Sequence, residues 1–389
     1  MRKVTVFNQI MQLISRYDFK KVVDKYSGDR YSKHFSSWQQ FIIMIYAQAR
    51  GIKSLRDISI SLLSQQRKWY HIGLTSAARS TLSDANSRRD SNIFQDIFYD
   101  FLSRCKKLAP KHKFKFKNPL YTIDSTLISL CLSMYPWAKF RRMKGALKIH
   151  TLLDHRGCLP SFITVTDGKC HDINIVKDEE YDFPDLMPDS IITVDRAYID
   201  YKWLYSIQLK KAYFVTRAKD NINCIVLGQH KESKDKDVMS DDLISLYGHD
   251  QQKDYPANMR MIRFFDSKSG DILYFLTNNF KLSSKTIADI YKARWEIEIF
   301  FKWIKQNLKI KTFLGTSKNA VMTQIWIAMI YYLMLAFIKF QTKYSYSMHE
   351  LGRIIGEILM DTVCLIETLR LDYKHYLKIK KKQAQLSLL

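Results

Sequence analysis

Three acidic residues stand where the chain could hold a reacting phosphodiester. Asp124 follows the apolar run LYTI inside IDST, and Asp195 follows IITV inside VDRAY, so each closes a hydrophobic strand pattern. An Asp at the end of a buried strand is costly without a partner, and two at comparable positions suggest a site. The third, Glu298, shares a helical pattern with Tyr291, Arg294 and Lys305, at steps of three, four and seven residues. At about 100° per residue these four fall in one stripe about 60° wide. Carboxylates are the ligands preferred by hard divalent cations. A pair of such ions about 3.5–4 Å apart can neutralise the attacking and leaving oxygens of a phosphodiester. Arg294 and Lys305 on the same face would then clamp the phosphate. The plainer alternative is a solvated helix face with an Arg294–Glu298 pair at i,i+4 spacing.

Such residues need a sheet and a helix to hold them. LYTIDSTLISL, LKIHTLLDHRG, LPSFITVTDGK, SIITVDRAY and AYFVTRAK are short β-branched or aromatic runs closed by Gly, Asp or Asn, with helical patterns such as INIVKDEEY and YKWLYSIQLKK between them. Three strands in succession, then helix, strand, helix and strand, predict a mixed α/β sheet with helices on its faces. Residues 218–282 change texture. KESKDKDVMSDD reads as a charged loop, and MRMIRFFDSKSGDILYFLTNN as a hairpin turning at residues 266–271. SSKTIADIYKARWEIEIFFKWIKQNLKI then predicts one long helix capped near Ser283 or Ser284. Residues 1–110 read as helices, among them FNQIMQLISRY, SSWQQFIIMIYAQARG, SLRDISISLLSQ and NIFQDIFYDFLSRC. Between the last two, a Ser/Thr-capped segment carries Arg79, Arg88 and Arg89, which suits a helix end laid against phosphates. A basic connector over residues 106–119 follows, and the chain ends on the basic tail KHYLKIKKKQAQ.

Composition narrows the partner. With 62 Lys and Arg against 38 Asp and Glu, the chain carries a formal charge of +24, and its pI is near 9.6. Self-repulsion on that scale predicts a polyanionic partner, nucleic acid before any other. Six cysteines are scattered with no CxxC pair, which fits neither a zinc site nor a disulfide framework. The N-terminal residues lack a secretory core, and the longest apolar run, residues 325–338, spans 14 residues and suits a buried core helix. The expectation is a cytoplasmic, nucleoid-associated protein with no membrane partner.

At these residues the chain resembles the bacterial insertion-sequence transposases of the Asp-Asp-Glu class. The likeness is to the insertion-sequence-four family, marked by Tyr-x2-Arg-x3-Glu-x6-Lys. Tyr291, Arg294, Glu298 and Lys305 match all four positions, and IDST and TVDRAY look like the first and second carboxylate motifs. The separations, 71 residues from Asp124 to Asp195 and 103 from Asp195 to Glu298, fit as well. The resemblance implies an RNase H-like mixed-sheet catalytic core (residues 111–217 and 283–345) interrupted by a β-rich insertion (218–282). A helical DNA-binding domain (1–110) precedes it and a basic helical region (346–389) follows. It implies Asp124, Asp195 and Glu298 as ligands of two Mg2+ ions, with Mn2+ able to substitute. The partners implied are double-stranded DNA, both terminal inverted repeats and target, and a second copy in a synaptic homodimer. Cleavage at the element's ends and strand transfer into target DNA would share one site.

One departure stands out. Hairpin-forming members place a Trp in the insertion to stack on a flipped base, whereas residues 218–282 hold none; Phe264, Phe265, Tyr274 and Phe275 are the aromatic alternatives. WAKFRRMKGALKIH adds Lys139, Arg141, Arg142, Lys144 and Lys148 without an acid, a pattern suited to tracking phosphates, with Arg141, Arg142 and Lys144 the leading candidates. His171 and Asp172 are candidate helpers of the carboxylates, while His150 and His155 are expected to have no chemical role. Two rivals remain. An RNase H-like host nuclease would not need the basic N-terminal region or the Tyr-Arg-Glu-Lys stripe. A DNA-binding regulator derived from a transposase would have lost a carboxylate.

Overall fold

The computed structural model describes residues 4–370 apart from 76–77, 142–143, 220, 231–232, 234 and 308–312. The chain divides into two units. One comprises Met1–Pro110, Leu130–Trp137 and Trp303–Leu389; the other comprises Lys111–Ser129 and Ala138–Lys302.

The first unit opens on helices α1 (Val6–Met11), α2 (Arg16–Lys25), α3 (Ser37–Arg50), α4 (Leu55–Leu63), α5 (Trp69–Ile72), α6 (Arg79–Arg88) and α7 (Asn92–Leu108). Ser15, Ser36 and Ser54 cap α2, α3 and α4 by accepting from the amides of Asp18, Gln39 and Asp57. The expected single helix over FNQIMQLISRY is therefore two, because Ser15 starts a new helix where the first has ended. Arg89 departs from its expected role against phosphates. Its guanidinium turns inward to the carbonyls of Gly28 and Phe35, to Gln40 Oε1 and to Ser32 Oγ, and so holds the loop before α3. Arg88 stays exposed and pairs with Asp84 at 2.7 Å.

In the second unit the strands are β1 (Leu120–Leu130), β2 (Lys139–Arg141), β3 (Lys144–Asp154), β4 (Leu159–Asp167), β5 (Ile191–Val194), β6 (Tyr213–Arg217), β7 (Cys224–Gln229), β8 (Val238–Leu246), β9 (Met259–Asp266) and β10 (Asp271–Thr277). They form one sheet in the order β2-β3-β1-β5-β6-β10-β9-β8-β7, with β4 also on β3. β5 lies parallel to both β1 and β6, whereas β6 to β10 and onward to β7 run antiparallel. This is the mixed sheet expected of an RNase H-like core, and the strands of residues 218–282 prolong it past β6.

Alternation along the strands sends neighbours to opposite faces. Tyr121, Ile123, Ile192, Val194 and Phe214 meet Trp203, Leu204 and Ile207 of helix α9 (Tyr201–Leu209), after the short α8 (Asn174–Lys177). Leu120, Ile191, Val215, Phe264 and Phe275 lie on the other face. Past α10 (His249–Asp254) comes helix α11 (Ser284–Ala293), whose Ile287, Ala288 and Ile290 cover that face.

Two expectations change here. The second half of the charged loop is strand β8, and its Asp241 is fully buried because Arg260 of β9 pairs with it. Arg260 also donates to the carbonyls of Asn279 and Leu282, which fixes the start of α11. The long helix is interrupted. α11 ends at Ala293 and α12 (Trp295–Asn307) begins at Trp295, with Arg294 at the junction. There the Arg294 amide bonds to the Tyr291 carbonyl and the Ile297 amide to the Arg294 carbonyl, tighter i,i+3 steps that separate the two helices.

The last described helices, α13 (Lys318–Thr342) and α14 (Met348–Ile358), return to the first unit. α13 is, among the described residues, the one helix long and apolar enough to cross a bilayer, and 94% of its most apolar window is buried. It packs on α3, α6, α7 and α14 as a core helix.

Candidate active site

The register of β1 and β5 sets the first two carboxylates. Thr122 pairs with Thr193 across these parallel strands, so Asp124 and Asp195, each two residues further along, come to the same end of the sheet and the same face. Asp124 does not end its strand, since β1 continues to Leu130. Asp195 is the first residue after β5, and its carboxylate accepts from the Ala197 amide at 2.8 Å to cap a one-turn helix.

Glu298 reaches this pair through Arg294. One guanidinium nitrogen donates to Asp124 Oδ2 at 2.9 Å, the other to Glu298 Oε1 at 2.6 Å, and the Arg294 side chain is only 16% exposed. The pairing of Arg294 with Glu298 is thus not a solvated surface contact; it extends to Asp124, 170 residues earlier. Tyr291 is half-buried, with its ring 5.1 Å from that of Phe275 and 5.9 Å from the Arg294 guanidinium. Lys305 is exposed near the end of α12. Of the four residues in the expected stripe, the structure brings Tyr291, Arg294 and Glu298 together, while Lys305 falls in the stretch of α12 that belongs to the first unit.

Burial dominates the electrostatics. It raises the Asp124 carboxyl from 3.8 to about 6; the Ser125 amide and Arg294 oppose this, and Asp195 and Asp172 add to it. Asp195 is raised as well, first by burial, against the Ala197 amide and Arg294. Tyr291 is raised by burial.

Asp172 is the fourth acid of the cluster. It accepts from the Ser125 hydroxyl at 2.5 Å and from Lys148 Nζ at 3.3 Å, so it fixes the residue next to Asp124. His171, beside it, is exposed. Lys148, expected among the phosphate-tracking residues, is turned inward, with its Nζ also 2.8 Å from the Cys170 carbonyl. His150 Nε2 lies 3.0 Å from the Thr166 hydroxyl and Nδ1 3.6 Å from Asp172. Burial lowers this imidazole to about 4, so it is neutral near pH 7. Sequence spacing could have flagged Lys148 and His150, which alternate on one strand face.

The other expected contacts divide. Arg141 closes β2 and Lys144 opens β3. Arg142 and the side chains of Arg141 and Lys144 lie outside the described residues. Phe264 and Phe275 are fully buried core of the sheet, whereas Phe265 and Tyr274 are each 40% exposed.

The donor chemistry fits a hard divalent cation: carboxylate oxygens gathered around positive charge, with no sulfur ligand among them. Arg294 supplies that charge between Asp124 and Glu298. Among the described residues, no three His, Cys, Asp or Glu side chains stand close enough together to ligate one ion.

Comparison with known proteins finds relatives over most of the chain. The transposase DDE domain family matches residues 115–334, and a domain of unknown function, DUF4372, matches residues 2–75. The probable transposase for insertion sequence element IS5377 of Geobacillus stearothermophilus is 30% identical over 322 residues, 77% of this chain and 82% of that protein. The putative transposase y4zB of Sinorhizobium fredii is 31% identical over 264 residues, 67% of this chain and 71% of its own length. The putative transposase for insertion sequence element IS4SA of Synechocystis is 23% identical over 295 residues, 75% and 80% of the two chains. A solved piggyBac transposase synaptic complex with hairpin DNA aligns over 96% of this chain and 83% of its own at 13% identity, with a TM-score of 0.45. Members of the DDE family are in general dependent on divalent metal and act on DNA. The chain belongs to the transposase DDE domain family and is a DNA transposase of an insertion sequence.

Proposed function

We propose that Asp124, Asp195 and Glu298 are the catalytic carboxylates and that they hold two Mg2+ ions, for which Mn2+ substitutes. The observation that carries this reading is the meeting of Asp124 and Glu298 on one guanidinium, with Asp195 aligned to Asp124 by strand register. Ions bound there would supply Lewis-acid stabilisation and an activated water. The chain's own residues do the rest. The carboxylates orient the reacting phosphodiester's surroundings, and Asp124, raised to about 6 by burial, loses its proton as pH climbs through that value. Arg294 must release Asp124 and Glu298 for them to act as ligands, which frees its planar fork for a phosphate oxygen. Tyr291 holds Arg294 from one side. Lys305 and the basic β2–β3 segment, with Arg141, Arg142 and Lys144, track the backbone beyond the scissile bond.

At an element's end this site hydrolyses the phosphodiester, and the 3′-OH released attacks target DNA in line. Two copies act on two ends, as a homodimer in the synaptic complex in the cytoplasm, at the nucleoid. The helical residues 1–110 recognise the terminal inverted repeats, and the β-rich residues 218–282 line the DNA beside the catalytic core. An intact set of acids speaks against a regulator that has lost its chemistry.

The test is nicking of DNA carrying the element's ends, with Mg2+ or Mn2+. Asp124→Asn, Asp195→Asn and Glu298→Gln should each abolish cleavage and leave DNA affinity within a few-fold of the parent, because affinity comes from Lys and Arg contacts. Near-parental cleavage by any one variant removes that residue from the site.

A further inference from the structure

Beneath the carboxylates runs a second chain of polar contacts. The hydroxyls of Thr122 and Thr193 meet across the β1–β5 register. Thr122 Oγ1 lies 2.7 Å from His155 Nε2, and His155 Nδ1 lies 3.1 Å from Glu296 Oε2. Glu296 also accepts from Lys113 Nζ at 3.2 Å and from Cys158 Sγ at 3.1 Å. His155 thus has a set of partners that sequence reading did not anticipate.

An ionised Glu296 only accepts, so His155 Nδ1 donates to it. The Thr193 hydroxyl donates to the Tyr121 carbonyl at 3.1 Å, and its oxygen also meets Thr122 Oγ1.

A hydroxyl, an imidazole and a carboxylate in this order make the arrangement that activates a nucleophile. Burial excludes that role here. Thr122 and Thr193 are 0% exposed and His155 is 5% exposed, so no substrate atom reaches the Thr122 oxygen. The chain's placement suggests another use. Thr122, Thr193 and Glu296 each stand two residues before one of the three carboxylates, Asp124, Asp195 and Glu298. They lie on the three elements, β1, β5 and α12, that must be held in mutual register.

We propose that Thr122, Thr193, His155 and Glu296 are positioning residues: a buried hydrogen-bond chain that sets the spacing of Asp124, Asp195 and Glu298. The proposal rests on the carboxylate reading above and deepens it. On β1 and β5 the Thr pair locks the strands at the step before the acids. On α12, residues two apart face about 200° from each other, so Glu296 anchors the helix inward while Glu298 faces Arg294. A site of this kind works only when its groups are held within about 0.5 Å of the productive geometry. Loss of one hydroxyl lets a strand or the helix start drift by that amount.

The experiment compares Thr122→Val, which keeps the volume and removes the hydroxyl, with Thr122→Ser, which keeps the hydroxyl. Each full-length variant is assayed for kcat and KM on DNA carrying the element's ends, for Mn2+ binding by paramagnetic resonance, and for melting temperature. Asp124→Asn is the control for the carboxylates. The expected result is a loss of at least tenfold in kcat for Thr122→Val with KM for DNA unchanged, and Mn2+ binding weakened about fivefold or more. Thr122→Ser should restore both to within about threefold. Parental kcat and Mn2+ binding in Thr122→Val overturn the proposal. So does an equal loss in both Thr122 variants that follows their melting temperatures, since that marks packing alone. If Asp124→Asn cleaves like the parent, the carboxylate reading fails instead, and that outcome is distinct from the other two.

Discussion

Asp124→Asn should make this protein more stable at pH 8 even as it ends catalysis. The Asp124 carboxyl is raised from 3.8 to about 6, first because it is buried. A carboxyl whose pKa rises on folding favours its protonated form in the folded state. Its contribution is therefore fully present below about pH 3.8 and lost as pH climbs through about 6. Above that, the ionised group costs the folded chain roughly two pKa units, or about 3 kcal/mol. Asn is the neutral isostere and avoids this cost. The gap between variant and parent should approach zero toward pH 4, reach about half its full size near pH 5, and level off above pH 6 at about 2–3 kcal/mol. In a chain of this length that is a melting shift of roughly 3–4 °C. Urea denaturation at pH 5 and pH 8, with a chelator present, measures it. A parent as stable as the variant at pH 8 would refute the reasoning, because the Arg294 contact would then outweigh the desolvation of Asp124.

Further expectations follow from other residues. Asp241→Asn breaks a fully buried pair with Arg260 and should cost about 3–5 kcal/mol, seen as earlier urea unfolding of the protein. A Cβ at Gly356 would stand 2.9 Å from the Ala49 carbonyl oxygen, so Gly356→Ala should lose about 1–3 kcal/mol in the same assay, while a bulkier residue there should lose more. Arg294→Ala should lower cleavage at least tenfold, and Lys305→Ala should reduce the log–log salt slope of DNA binding by about one; an unchanged slope would place Lys305 off the DNA.

Much of the sheet was legible because period-two alternation and β-branched runs report burial directly, and because β5 and β6 are short and apolar on both faces. The parts that escaped depend on tertiary partners. Nothing local marks VMSDD as a strand, since Asp241 is tolerable there only with Arg260 brought in from β9. The break at Arg294 escaped for a similar reason. Tyr291, Arg294 and Glu298 have helical spacing whether or not the helix is continuous, and the junction falls at Arg294, which contacts Asp124, with no Gly or Pro to mark it. Arg89 and Lys148 look like surface cations by type, and only the folded chain shows their guanidinium and ammonium groups turned inward. Asp124 and Asp195 stood out as candidates because an acid after a buried strand run of mostly apolar residues conflicts with its own strand, and that conflict is visible without any partner.

The same conflict explains how a chain of +24 charge can carry an acidic site at its centre. Asp124, Asp195, Glu298 and Asp172 face two neighbouring cations, Arg294 and Lys148, so this patch is negative while the chain as a whole is strongly basic. A phosphodiester is drawn to the protein by the basic surface and repelled by this patch. On the proposed reading, affinity and chemistry belong to different residues, and changes to the acids should leave binding nearly intact. The repulsion also opposes a compact arrangement of the acids themselves. Strand register fixes two of them, the Arg294 bridge draws in the third, and Lys148 restrains the fourth. Each restraint comes from a different part of the sequence, which is why the site requires the whole α/β unit and cannot be carried by the Tyr291–Lys305 signature alone.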